Sequence, residues 1–347
     1  MSTTTAVPPE KKVNRIGLEQ TEYRGGKTTL CAGCGHNSIS ERIVECFYEM
    51  GVDPTRVVKL SGIGCSSKSP AYFLNLSHGF NAVHGRMPSV ATGAVLANKD
   101  LLALGVTGDG DTASIGIGQF VHLMRRNLPI IYIIEDNGCY GLTKGQFSAT
   151  ADKGSKSKTA VNHDAPIDLV SMALVLGASF VGRGFSGDKK QLVPLLKAAI
   201  AHQGSAILDV ISPCVQFNNN PQSTKSYDFV REHNEAVNRV DFIETRKEIT
   251  ADYAPGTVEE VRQHDGSVLR LAKLHEDYDP HDRAAAIGYL QDRHARGEIV
   301  TGLLYLDKEA QDLHGALNTV TRPLNRMGEK ELCPGAKTLE TINASYR

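Results

Sequence analysis

Two groups of residues in this 347-residue chain carry chemistry in their types and spacing. The first is Gly108-Asp109-Gly110-Asp111 and, 26 residues after Gly110, Asn137-Gly138-Cys139-Tyr140-Gly141. Carboxylate and amide oxygens are hard donors that suit Mg2+, which takes few protein ligands and leaves positions for phosphate oxygens. Flanking glycines let the backbone approach a diphosphate closely. Gly-Asp-Gly alone is also an ordinary turn, and the distant glycine-flanked Asn gives the pair its meaning. The second group is cysteine: Cys31-Ala32-Gly33-Cys34, then Cys65 between Gly64 and Ser66, then Cys214 after Ser212-Pro213. A Cys-x-x-Cys loop turns two thiolates toward one metal, and zinc, redox and iron–sulfur sites all use it. Cys46 reads as a core residue of a helix, Cys139 falls in the Asn137 loop, and Cys333 lies near the chain end.

The elements that must position these residues follow from the apolar pattern. Leu101–Val106 and Pro129–Glu135 read as buried parallel strands, with a helix over Thr112–Arg126 between them. Asp109 and Asn137 then fall at the carboxyl ends of two strands, where open α/β sheets bind ligands. A helix from a Ser38 cap to about Met50, with Glu41 completing a capping box, follows the Cys31–Asn37 loop. Arg56–Leu60 reads as a strand leading into the Cys65 loop, and Pro88–Asn98 as a helix. Further on, helices over 166–176 and 188–202 alternate with strands over 179–182 and 205–211, the last ending at Cys214. The expected fold class is α/β, a doubly wound, mostly parallel sheet. No Gly-x-Gly-x-x-Gly follows the first strand, which argues against a generic dinucleotide site.

Length allows one large domain with appendages or two domains. Three parts are expected: an N-terminal arm over 1–29, the ligand-binding domain over 30–215, and a C-terminal extension over 216–347. Within the extension, 216–247 is polar, a β-hairpin turns about Asp265-Gly266, a helix covers 282–296, a strand covers 298–306, and 313–347 reads as mostly irregular. The extension is too poor in apolar stretches for its own core and is expected to pack on the sheet or a partner. The net charge of -1 gives no global pull toward nucleic acid or an anionic membrane. No stretch is long and apolar enough to span a bilayer, no signal-peptide core is present, and seven cysteines without a secretory signal make a disulfide framework a poor reading. A cytoplasmic location is the expectation.

Taken in order, Cys-Ala-Gly-Cys-Gly-His, Gly-Ile-Gly-Cys-Ser-Ser-Lys, His-Gly-Arg, Gly-Asp-Gly-Asp, Asn-Gly-x-Tyr-Gly-Leu-Thr-Lys-Gly-Gln and Ser-Pro-Cys resemble the β subunit of the 2-oxoacid:ferredoxin oxidoreductases, most nearly the two-subunit 2-oxoglutarate type. The resemblance covers roughly Leu30 to Asn219. It implies a sheet of the thiamine diphosphate-binding type. By it, Asp109, Asn137 and the Cys139 carbonyl ligate Mg2+, and Cys31, Cys34, Cys65 and Cys214 hold a 4Fe-4S cluster. Gly64, Ser66, Ser67, His84, Gly108, Gly110, Asp111, Leu142 and Thr143 would line thiamine diphosphate, Asp111 sitting near the phosphates or capping the next helix. Lys68, Leu142 and Lys144 would face the substrate. Cys139 stands where the family often has valine.

The implied reaction is reversible oxidative decarboxylation of 2-oxoglutarate with coenzyme A to succinyl-CoA and CO2, with electrons leaving through the cluster to ferredoxin. Two lysines suit a second, distal carboxylate, which pyruvate lacks; pyruvate or another 2-oxo acid remains the alternative substrate. The family's activating glutamate belongs to an α subunit, so an αβ or α2β2 assembly is implied, inactive as this chain alone. The non-enzymatic alternative is a zinc-stabilised α/β interaction module.

Overall fold

Each residue of the run Ile130–Asp136 is buried, and its side chains alternate between two cores. Ile131 and Ile133 face one cluster with Ile39, Ile43 and Phe47. Ile130, Tyr132 and Ile134 face another with Phe120, Leu123 and Val95. A strand apolar on both faces belongs inside a sheet covered by helices on both sides. In the computed structural model, which describes residues 12–157, 160–245, 258–275 and 278–346, that is where it lies.

The strands are β1 (Val57–Ser61), β2 (His78–Asn81), β3 (Leu102–Gly108), β4 (Ile130–Asp136), the short pair β5 (Cys139–Tyr140) and β6 (Gln146–Phe147), β7 (Phe180–Phe185), β8 (Ser205–Ile211), β9 (Asn234–Ala236), β10 (Asn238–Ile243), β11 (Val258–Arg262), β12 (Val268–Lys273) and β13 (Ile299–Leu306). The main sheet runs β2-β1-β3-β4-β8-β7-β13-β9. Its first six members are parallel; β13 pairs antiparallel with β7, and β9 runs parallel to β13. Strands β10, β12 and β11 form a separate antiparallel sheet. The chain leaves β1 for β2 on one side and returns to β3 on the other. Strand order therefore reverses between β1 and β3, and their carboxyl ends flank a crevice.

Helices α1 (Gly35–Glu49) and α5 (Lys189–Ala201) pack on one face with the β10–β12 sheet; α2 (Met87–Ala97), α3 (Ile117–Arg125), α4 (Leu169–Val175) and α7 (Arg283–Ala295) cover the other. Asp168, Asp188 and Asp282 cap α4, α5 and α7 by accepting backbone N–H bonds. The remaining helices are α6 (Tyr227–His233), α8 (Leu313–Ala316), α9 (Glu329–Leu332) and α10 (Ala336–Ser345). Among the described residues no helix is long and apolar enough to cross a membrane.

Several expectations need correcting. Helix α1 begins at Gly35, straight from Cys34, so Ser38 lies inside it. The Ser38 hydroxyl donates to Ser186 O at 2.7 Å, and Glu41 pairs with Arg24 rather than closing a capping box. The helix expected over 112–126 is broken: a π-type turn over Gly110–Ile115 precedes Gly116 and α3. A Cβ on Gly116 would sit 2.9 Å from Gly85 Cα, so the break lies where two loops cross backbone to backbone. The polar 216–247 stretch holds α6, β9 and β10, of which residues 246 and 247 lie outside the described residues. The tail after 313 is largely helical rather than irregular. The strand over 299–306 is an integral member of the main sheet, so the region after 215 shares the core. Of the arm expected over 1–29, residues 1–11 lie outside the described residues, and Tyr23 is fully buried against α1.

Candidate active site

The carboxyl ends of β1, β3, β4 and β8 carry the loops with Cys65, Asp109, Asn137 and Cys214, and parallel strands bring all four to one edge. Two cavities open there. One, of about 170 Å³, is lined by Cys31, Cys34, Cys65 and Cys214 together with Lys68 and Leu142. The other, of about 80 Å³, is lined by Gly64, Ser66, His84, Gly108, Asp109, Gly110, Asp111, Asn137, Cys139, Leu142 and Thr143. His36, Cys65, Asn137, Gly141 and Leu142 belong to the walls of both.

Asp109 is 1% exposed. Its Oδ2 accepts from the Gly138 N–H at 3.1 Å, from Thr150 Oγ1 at 2.6 Å and from Ser148 Oγ. Burial, with Asp136 beside it, still pushes this carboxyl up to about 7. A buried carboxylate with so much electrostatic cost fits a bound cation, which lowers that cost. Asn137 Oδ1 accepts from the Cys139 N–H at 3.0 Å, and Asn218 Nδ2 donates to the Asn137 carbonyl at 2.8 Å. The glycines have local reasons as well as the expected one. A Cβ on Gly108 would come 2.7 Å from Ser66 Oγ, and one on Gly110 would strike the Tyr140 ring at 2.5 Å.

Asp111 sits at the start of the π-type turn, but its side chain reaches away to other loops. Its Oδ1 accepts from the Gly85 N–H at 3.0 Å and lies 3.1 Å from His84 Nδ1, while Oδ2 accepts from Thr107 Oγ1 at 3.0 Å. It secures the loop that presents His84 to the cavity. A Cβ on Gly62 would lie 1.8 Å from Asp111 Oδ2, so only glycine fits there.

The cysteine cavity fits a cluster by its donor set: four thiols from three loops around one space. A Cβ on Gly141 would lie 3.4 Å from Cys65 Sγ and 3.6 Å from Cys214 Sγ, so glycine keeps that space open. The Cys139 thiol and the N–H groups of Gln216, Phe217 and Asn218 pull Cys214 down to about 6, while burial holds Cys34 up at about 12 and raises Cys65. A thiolate-prone Cys214 suits metal ligation. Among the described residues no three His, Cys, Asp or Glu side chains converge on a single ion.

Two expected residues line neither cavity. The Ser67 hydroxyl is buried without a hydrogen-bond partner, and Lys144 is exposed at the β5–β6 turn with φ of 78°. Several residues had no place in the sequence reading. Ser148 and Thr150 hold Asp109, and Thr150 Oγ1 also lies 2.8 Å from Asp136 Oδ1, within reach of either carboxylate. Glu135 is fully buried, accepts from Ser69 Oγ and is raised well above the usual carboxyl range by burial. Its signal was available: Glu135-Asp136-Asn137 ends a strand with three successive polar groups in a buried place.

Residues 62–210 match the family model of the thiamine pyrophosphate enzyme C-terminal TPP binding domain. A 2-oxoacid:ferredoxin oxidoreductase subunit beta from a Sulfolobus species is 43% identical over 190 residues, 54% of this chain and 62% of that protein. A 2-oxoglutarate oxidoreductase subunit KorB from Mycobacterium tuberculosis is 42% identical over 190 residues, 54% of this chain and 50% of its own length. A 2-oxoglutarate synthase subunit KorB from Methanocaldococcus jannaschii is 34% identical over 216 residues, 60% of this chain and 79% of that one. The chain thus spans between half and 62% of the length of the first two relatives. Among solved structures, a 2-oxoglutarate:ferredoxin oxidoreductase from Magnetococcus marinus, with 2-oxoglutarate, coenzyme A and succinyl-CoA bound, superposes with a TM-score of 0.72 at 29% identity. That match covers 94% of this chain and 96% of the other.

Proposed function

The chain belongs to the β subunits of the 2-oxoacid:ferredoxin oxidoreductases, and on that premise we propose that it carries the diphosphate-binding half of a thiamine diphosphate–Mg2+ site and a 4Fe-4S cluster in the oxidative decarboxylation of a 2-oxo acid with coenzyme A. The observation that carries this reading is the common wall of five residues between the four-cysteine cavity and the Asp109–Asn137 cavity. When bound, thiamine diphosphate supplies carbanion chemistry for decarboxylation, and the cluster supplies one-electron acceptance beside it.

The chain's own residues bind, orient and exclude water. Asp109, Asn137 and the Cys139 carbonyl would hold Mg2+, with Ser148 and Thr150 fixing Asp109. Gly64, Ser66, His84, Gly108, Gly110, Leu142 and Thr143 would form the cofactor wall, Asp111 steadying His84 and leaving its Nε2 for a ligand. Ser67 adds an unpaired hydroxyl next to that wall. Cys31, Cys34, Cys65 and Cys214 would take the cluster. Lys68 beside them is the cation best placed for a substrate carboxylate.

A cavity of about 80 Å³ is small against the roughly 300–1,000 Å³ that encloses a drug-sized ligand. That small size supports a site completed by an α subunit, and ferredoxin is the electron acceptor that the family reading implies. The Mycobacterium and Methanocaldococcus relatives are named for 2-oxoglutarate, which favours that substrate. The outward position of Lys144 favours the second reading, a 2-oxo acid with one carboxylate such as pyruvate.

The test is anaerobic copurification with the α subunit, metal and thiamine analysis, and a substrate panel with ferredoxin or viologen. About four iron and four sulfide per chain are expected, with coenzyme A-dependent turnover that the chain alone lacks. Stoichiometric zinc without thiamine overturns the reading.

A further inference from the structure

His36 lines both cavities and is 1% exposed. It stands two residues after Cys34, in the first turn of α1. Its Nδ1 lies 2.6 Å from Ser212 Oγ and 3.4 Å from Glu135 Oε2, and its Nε2 lies 3.3 Å from Asn137 Nδ2. An amide NH2 can only donate, so Nε2 accepts. The single ring proton then sits on Nδ1 and is donated to Ser212 Oγ.

The other end of the Asn137 amide is held as firmly. The Cys139 N–H donates to Asn137 Oδ1 at 3.0 Å. Turning the amide over would set its oxygen against the Nε2 lone pair and its NH2 against the Cys139 N–H. Two contacts therefore fix the orientation, and Oδ1 keeps a second lone pair for a cation.

We infer that His36 is a positioning residue: its ring holds the Asn137 carboxamide in metal-ligating orientation and ties the metal loop to two of the three cysteine loops, through Cys34 just before its own helix and through Ser212 two residues before Cys214. The inference rests on the reading of Asp109 and Asn137 as Mg2+ ligands. Outer partners of metal ligands of this kind are worth roughly 10–100-fold in metal affinity.

Two substitutions separate the ends of the ring. His36→Asn offers an amide N–H to Ser212 and is too short to reach Asn137. His36→Gln can bring a carbonyl oxygen to the Asn137 NH2 while losing the Ser212 bond. In the anaerobically purified complex with the α subunit, Mn2+ replaces Mg2+, and free Mn2+ is titrated by electron paramagnetic resonance with thiamine diphosphate present. His36→Asn should weaken Mn2+ binding about 10–100-fold with iron content and melting temperature retained, and His36→Gln should bind close to the native chain. Native affinity in both variants, equal loss in both, or a greater loss in His36→Gln overturns the inference. Asp109→Asn is the control. If it binds Mn2+ and thiamine diphosphate like the native chain, the metal-site reading itself falls. If it loses binding while His36→Asn does not, the inference about His36 falls alone.

Discussion

Lys68 and Lys144 were a matched pair in the sequence, yet they stand in different surroundings: Lys68 borders the cysteine cavity, while Lys144 points out from a turn. Lys68→Ala should therefore lower kcat/KM for a 2-oxo acid by about 10-fold or more, as expected when a charge-assisted contact of about 1.5–3 kcal/mol is lost. Lys144→Ala should change it several-fold less. Steady-state kinetics of both variants decide, and equal losses would restore the pair. A buried histidine gives a pH prediction. Burial, helped by neighbouring His264, holds His202 down to about 3 from 6.5. The folded chain keeps this ring neutral while the unfolded chain takes a proton below pH 6.5. Stability is thus lost as pH falls from about 6.5 toward 3, at up to roughly 1.4 kcal/mol per pH unit. His202→Gln should flatten the acid limb of the urea midpoint against pH, and an unchanged slope would count against it; His36, lowered to about 4 in the same way, keeps the flattening partial. Residues with a fixed spacing, Asp109 and Asn137 or Cys31 and Cys34, were legible because the chemistry needs both members. Ser148 and Thr150 were not, because nothing in a polar loop says that it folds back onto an aspartate placed forty positions earlier in the chain.

Elements were legible where their pattern was local. Strand β8 and helices α2 and α7 fall within a residue of their expected bounds, since an apolar run, a first-turn proline and an Asp cap respectively mark them. The misread places are those where a tertiary contact overrules the pattern. The Cys-x-x-Cys loop feeds straight into α1, and the Gly85–Gly116 crossing splits the helix after β3. That crossing makes its own prediction. A Cβ on Gly116 would lie 2.8 Å from Asp111 O and 2.9 Å from Gly85 Cα, all backbone atoms that cannot swing away. Gly116→Ala should cost about 1–3 kcal/mol, read from chemical denaturation. Gly118→Ala, with nothing within 4 Å of its Cβ, should be neutral or stabilising.

At the scale of the whole molecule, the sequence conveyed a parallel sheet and a strand over 298–306, but neither that strand's place in the sheet nor β9. The apolar run of β13 marks a strand, and no local signal announces that it pairs antiparallel with β7 or that β9, from a polar stretch, joins it at the sheet edge. The tail beyond them leaves Leu332, Leu339 and Ile342 exposed, and no residue of α10 is buried. Truncation after Gly335 should move the stability of the isolated chain by less than about 0.5 kcal/mol while weakening its association with the α subunit in pull-down; a large drop in melting temperature would contradict the first part. The four cavity cysteines also bear on how the molecule is made. Cys65 leaves the sheet at β1, and Cys214 leaves it only after β8 has entered between β4 and β7. Closing so long a loop is slow, and during synthesis the first three cysteines emerge well before the fourth. If these four cysteines take the proposed cluster, the central sheet has to form before the receptacle is complete, and on refolding, recovery of helical circular dichroism should precede iron uptake.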